Sequence, residues 1–97
     1  EDVKLEKSIT VGDKLTITVG DAKVTVEKNG NVTIEGAAIT VKASGDVKVE
    51  AGGKCEVKAT GDVKVESSGK VLVKSSGATS VEASGAVKVK GSTVGTN

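Results

Sequence analysis

From residue 45 onward the chain repeats one hydrophobic and polar pattern every eight residues. Glycine opens each octad, at Gly45, Gly53, Gly61, Gly69, Gly77 and Gly85. With that glycine as position 1, position 5 is Val49, Val57, Val65, Val73, Val81 and Val89. Position 3 is Val47, Cys55, Val63, Val71, Thr79 and Val87, and position 7 is always small. The even positions carry the charge: position 6 reads Glu50, Lys58, Glu66, Lys74, Glu82, Lys90. Side chains alternate between the two faces of a strand. Each octad is therefore predicted as a short strand with positions 3, 5 and 7 facing inward and the charges facing out. The small residues at positions 7, 8 and 1 make the corner, where glycine accepts the positive φ that a tight turn often needs.

The first 44 residues are less regular. Val11-Gly12-Asp13 recurs eight residues later as Val19-Gly20-Asp21, and Leu15, Ile17 and Val19 alternate with Thr16 and Thr18. Ala22, Val24 and Val26 continue the alternation after a change of parity. Asn29-Gly30-Asn31 signals a turn, followed by Val32 and Ile34. Residues 37–44 fit the octad pattern with Ile39, Val41 and Ala43 inward. All the isoleucines lie in this half, so the inner side chains shrink toward the C-terminus and predict a tapering body. We divide the chain into residues 1–36, the less regular opening strands of a β-helix, and residues 37–97, a regular octapeptide-repeat shaft running to a C-terminal tip.

Composition changes what this pattern can build. The 97 residues include no Phe, Tyr, Trp, Met, Pro or His, and all 14 basic residues are lysine. Aromatic residues supply about 150–250 Å² of burial each in most cores, and this chain has none. A core of Val and Ala struggles, at about 25 cal/mol per Å², against a folding entropy cost of about 1–2 kcal/mol per residue. Burial has to come from repetition or association. Disorder does not fit a chain rich in β-branched residues, without proline and nearly balanced in charge. A strict period of two with dense Val, Thr and Gly excludes helix.

Corners every eighth residue describe an all-β fold, a triangular β-helix with about 24 residues per level and about 4.8 Å between stacked strands. Two topologies fit. A single chain would stack octad n on octad n+3, giving about four coils, roughly 19 Å tall. Three intertwined chains would stack octad n on octad n+1 of a neighbour, giving a homotrimeric β-prism of roughly 55–60 Å. Adjacent octads carry opposite charges at position 6, and either odd offset sets Glu against Lys, for about 0.2–1 kcal/mol per pair. A lone solenoid has three distinct sides and a natural period of about 20–30 residues. The period here is eight without modulation at 24, which favours the trimer.

The V-G-D spacing at 11–13 and 19–21, with the G-x-V-x-V-x-[A/S]-[S/T] octads from 45 to 92, resembles the C-terminal β-helix of VgrG (valine–glycine repeat) proteins and of the central spikes of contractile-tail phages. The resemblance implies a structural, non-enzymatic shaft, rigid and trimeric. It would be driven through a membrane by a type VI secretion or phage-like injection machine, as a component of a secreted or injected particle. It implies a PAAR-type tip protein on the C-terminal end, where only Val94, Gly95, Thr96 and Asn97 are candidates for the contact. Some spikes end in a metal-binding His-x-His apex; this chain has no His, so no metal or other cofactor is expected. The chain begins at Glu1 without Met and reads as a segment of a longer or processed protein.

Other functions were weighed on the same residues. Ser and Thr are plentiful but no His or second Cys attends them, and a nucleophile needs an activating base and a pocket, so no catalytic residue is predicted. Interleaved charge and absent aromatics give nucleic acid neither a basic stripe nor a stacking platform. The alternatives are a single-chain β-solenoid acting as a binding or adhesion module, or an idealised β-helix scaffold. An ice-type face needs stacked Thr-x-Thr rows, and only Thr16-Ile17-Thr18 offers one, with no ladder expected above it. Cys55 takes an inward position and reads as a buried small hydrophobe. Three copies near an axis could also cross-link or bind a soft metal. Thr79, inward and polar, marks a wet level or a bound ion.

Overall fold

Three of the alternating segments pair into one sheet in the computed structural model, which describes residues 5–96. Strand β1 spans Lys14–Val19, β2 Ala22–Glu27 and β3 Val32–Glu35. The order is β1-β2-β3 and both pairs are antiparallel. No helix occurs among the described residues, so the fold is all-β.

The turns follow from their glycines. Val19 faces Ala22, leaving only Gly20 and Asp21 in the first turn, with Gly20 at φ 56°. Two-residue reversals that take glycine first match the twist of the strands they join. The second turn is closed by the Gly30 N–H donating to the Glu27 carbonyl at 2.9 Å and the Glu27 N–H donating to the Asn31 carbonyl at 3.0 Å. The Asn31 N–H also donates to Asn29 Oδ1 at 3.1 Å. Gly30 sits at φ 93°, where an L side chain is strained. Gly30→Ala is expected to destabilise the β2–β3 hairpin by about 1 kcal/mol or more. Faster amide hydrogen exchange confined to these two strands is the measurement.

This region departs from the octad reading. Residues 1–36 are expected to be the opening strands of a β-helix, yet at Gly20-Asp21 the second V-G-D copy turns the chain back on itself. The reason is local. Glycine-first turn chemistry and matching apolar parity on both sides favour a tight hairpin, which pairs backbone immediately and closes almost no loop.

The register sorts the side chains completely. Leu15 faces Val26, Ile17 faces Val24 and Val19 faces Ala22, while Val24 and Val26 face Ile34 and Val32. One side of the sheet therefore carries eight apolar residues and nothing else. The other side sets Lys14 opposite Glu27 and Lys23 opposite Glu35. Between these, Thr16, Thr25 and Thr33 line up across all three strands. Thr16 thus has a single threonine row beside it, while the Thr16-Ile17-Thr18 unit as a whole has no Thr-x-Thr ladder. The second threonine row is not continued, because Thr18 faces Lys23.

Beyond β3 the backbone bends at Ser44-Gly45, Gly52-Gly53, Thr60-Gly61, Ser68-Gly69, Ser76-Gly77 and Ser84-Gly85. These six bends fall at positions 8 and 1, as the pattern predicts, while octad 37–44 bends one residue later, at Ala37-Ala38. Their mechanism differs. Positive φ occurs only at Gly20 and Gly30 among the described residues, so no corner glycine uses it. Nor do the octads pair as strands within the chain. The chain divides into two compact units, Glu1–Gly53 and Lys54–Asn97.

Candidate functional site

In each of the two units the inward positions of the octads make an apolar row that the chain leaves uncovered. At position 3, Ile39, Val47, Val63, Val71 and Val87 are 50–58% exposed. At position 5, Val41, Val49, Val57, Val65, Val73, Val81 and Val89 are 71–79% exposed. The two ranges do not overlap, so position 3 is consistently the less exposed of the two. Cys55 and Thr79 are exposed in the same row. The apolar side of the sheet is similarly open, with Ile17, Val19, Val32 and Ile34 all more than half exposed. No residue described is buried, so the inward positions together make a surface rather than a core.

The amount of surface is large. The chain of 9.6 kDa exposes 10250 Å², whereas a folded monomer of that mass exposes about 5,100 Å². The difference of about 5,000 Å² is on the scale buried in obligate assemblies. The backbone tells the same story. Among the described residues, 36–96 make no backbone-to-backbone hydrogen bond, although native chains pair nearly all such groups that they bury.

The corner glycines carry a related signal. A Cβ built at Gly45, Gly53, Gly61, Gly77 or Gly85 meets nothing within 4 Å. Neither backbone conformation nor the chain's own packing requires glycine there. Gly91 is different, since a Cβ would lie 3.0 Å from the Thr93 carbonyl oxygen.

Two corners are stitched by serine, a feature the inward reading of position 7 missed. The Gly69 N–H donates to Ser67 Oγ at 3.1 Å and the Gly77 N–H to Ser75 Oγ at 3.2 Å. Ser75 Oγ donates in turn to the Ala78 carbonyl at 3.3 Å. The repeated Ser-Ser-Gly at 67–69 and 75–77 is the signal, because a serine hydroxyl readily holds the backbone two residues on. On the outward positions Lys64 Nζ lies 2.7 Å from Glu66 Oε1.

Of the tip candidates, Val94 is 58% exposed and Gly95 and Thr96 are also exposed, while Asn97 lies outside the described residues. The depressions on the surface are open. One is lined by Asp13, Lys14, Glu27, Lys28 and Asn29, where the Lys28 N–H donates to the Asp13 carbonyl at 2.8 Å. Among the described residues no group of three acidic or thiol side chains is placed to hold a metal ion, and no helix is long and apolar enough to cross a membrane.

Cys55 provides a direct probe of this surface. A maleimide is expected to label it rapidly in the dissociated chain and at least tenfold more slowly once the apolar row is covered. Equal rates in both states would place position 3 outside any interface.

Comparison with known proteins found no matching family model, no matching curated protein and no matching solved structure.

Proposed function

We propose that three copies of this chain intertwine into a triangular β-prism, each octad pairing with the next octad of a neighbouring copy. The prism serves as the rigid, non-enzymatic shaft of a membrane-puncturing spike in a contractile injection machine, like the valine–glycine repeat and phage central-spike proteins it resembles. The observation that carries this reading is the uncovered inward row. Residues 39 to 89 present apolar side chains at matched exposures and an unpaired backbone, and the chain offers neither of them a partner.

A single-chain solenoid would pair octad 61–68 with octad 85–92. Both lie in the unit Lys54–Asn97, and no backbone hydrogen bond joins them. Pairing with other copies satisfies the backbone groups and leaves no lateral sheet edge open to further association. Corner glycines then give room for neighbouring backbones to approach. The seven octads of residues 37–92 give a shaft of about 35 Å. Its C-terminal end, from Val94 onward, is the seat for a PAAR-type tip protein. The particle makes transient contact with the target membrane.

Intertwining is tested with one added thiol. In-register stacking places Cys55 of one copy beside position 63 of the next, at a strand spacing of about 4.8 Å that a disulfide can bridge. Mild oxidation of Val63→Cys is expected to give a covalent trimer on a denaturing gel. Monomer alone would overturn the topology.

A further inference from the structure

The two units of the chain differ in charge. Glu1–Gly53 holds seven lysines and nine acidic residues, for a net charge of −2. Lys54–Asn97 holds seven lysines and four acidic residues, for a net charge of +3. The excess begins after Glu66. From there on the cations are Lys70, Lys74, Lys88 and Lys90, against Glu82 alone. None of these four lysines makes an ion pair among the described residues. Glu82 instead accepts a hydrogen bond from Ser80 Oγ at 3.0 Å.

Octad 69–76 also breaks the outward pattern. Position 4, charged in the three octads before it, is Leu72, which is 82% exposed between Lys70 and Lys74 in the sequence. An apolar side chain flanked by cations on an outward face suits an interface with anionic headgroups. Lysine contributes Coulomb attraction there, and leucine enters the boundary between headgroup and chain.

We infer that the C-terminal unit docks on an anionic lipid surface through Lys70, Leu72 and Lys74, reinforced by Lys88 and Lys90. The inference rests on the shaft reading, which multiplies this surface to a net +9 at three copies. Attraction of this kind is screened by salt, so the contact is superficial and reversible rather than an insertion.

The test uses the full chain with vesicles of phosphatidylcholine alone and with added phosphatidylglycerol, at low and high salt. The mass of the same protein sample is measured alongside. Binding is expected only with phosphatidylglycerol and is expected to disappear at high salt. Replacing Lys70, Lys74, Lys88 and Lys90 with Gln should weaken it several hundredfold, at about fivefold for each lysine removed. Leu72→Ser should weaken it about tenfold. Glu82→Gln should tighten it severalfold, a gain that a folding defect does not produce. A trimer that binds both vesicles equally, or binds heparin or DNA but not vesicles, overturns this inference and leaves the shaft intact. A monomer overturns the shaft reading itself.

Discussion

Val65→Asp is expected to abolish assembly and leave a dissociated chain of 9.6 kDa whose β circular dichroism is reduced to that of the β1–β2–β3 sheet. Lys64→Gln, one residue earlier, is expected to change stability by less than about 0.5 kcal/mol. In the single chain these neighbours are nearly equivalent, with Val65 75% exposed and the Lys64 side chain 77% exposed. In the isolated chain the one difference is the exposed Lys64–Glu66 ion pair, which would make Lys64→Gln the costlier change, and only slightly so. The opposite order arises only when three copies bring their position-5 side chains together. Three carboxylates would then lie close to one axis, away from water and from any cation. Burying one unpaired charge costs several kcal/mol even after relaxation, and three like charges add mutual repulsion. Sedimentation of both variants at one concentration makes the comparison. Equal behaviour would show that position 5 faces solvent in the working state.

Gly61→Ala separates the lone chain from the assembly by the sign of its effect. The backbone at Gly61 has no positive φ, and a Cβ there meets no atom of the chain within 4 Å. On those grounds alanine should stabilise by about 0.4–1 kcal/mol, because it restricts the unfolded chain. In the intertwined prism the corner is where a neighbour's backbone approaches, and each added methyl is repeated three times per level. Overpacking of this kind costs about 1–3 kcal/mol per site. A fall in the thermal midpoint is therefore expected for Gly61→Ala and again for Gly77→Ala. A rise at both positions would mean that the recurring glycine has no packing role.

The octads were legible because two independent patterns coincide in them. Period-two alternation sets the faces, and period-eight glycine sets the corners, so the bends at Gly45 through Gly85 fall where both patterns place them. The reason for glycine was not legible. Positive φ is the usual explanation, and only Gly20 and Gly30 bear it out. At the other corners neither positive φ nor the chain's own packing calls for glycine, and in the proposed assembly the reason is the approach of a neighbouring copy, which a single sequence does not display. The hairpin at Gly20-Asp21 was obscured by the same periodicity that revealed the octads. Its eight-residue spacing from Gly12-Asp13 looks like a repeat, while its parity change between Val19 and Ala22 belongs to an antiparallel turn. Reading parity before spacing would have separated the two. The serine stitches at Ser67 and Ser75 were hidden because a small residue at position 7 satisfies the inward pattern whether or not it has a hydroxyl.

The apolar row and the apolar side of the sheet share one physical meaning. Both were recognised from alternation, and both are too thin to cover themselves. Val, Ala and Ile without aromatics make a narrow layer that suits a thin prism better than a globule. The same property makes association, rather than local packing, the quantity to measure.

Sedimentation equilibrium at micromolar concentration, supported by native mass spectrometry, tests the account most directly. A single species at three times the 9.6 kDa chain mass is the expected result. A clean monomer at that concentration, with β circular dichroism intact, would contradict it.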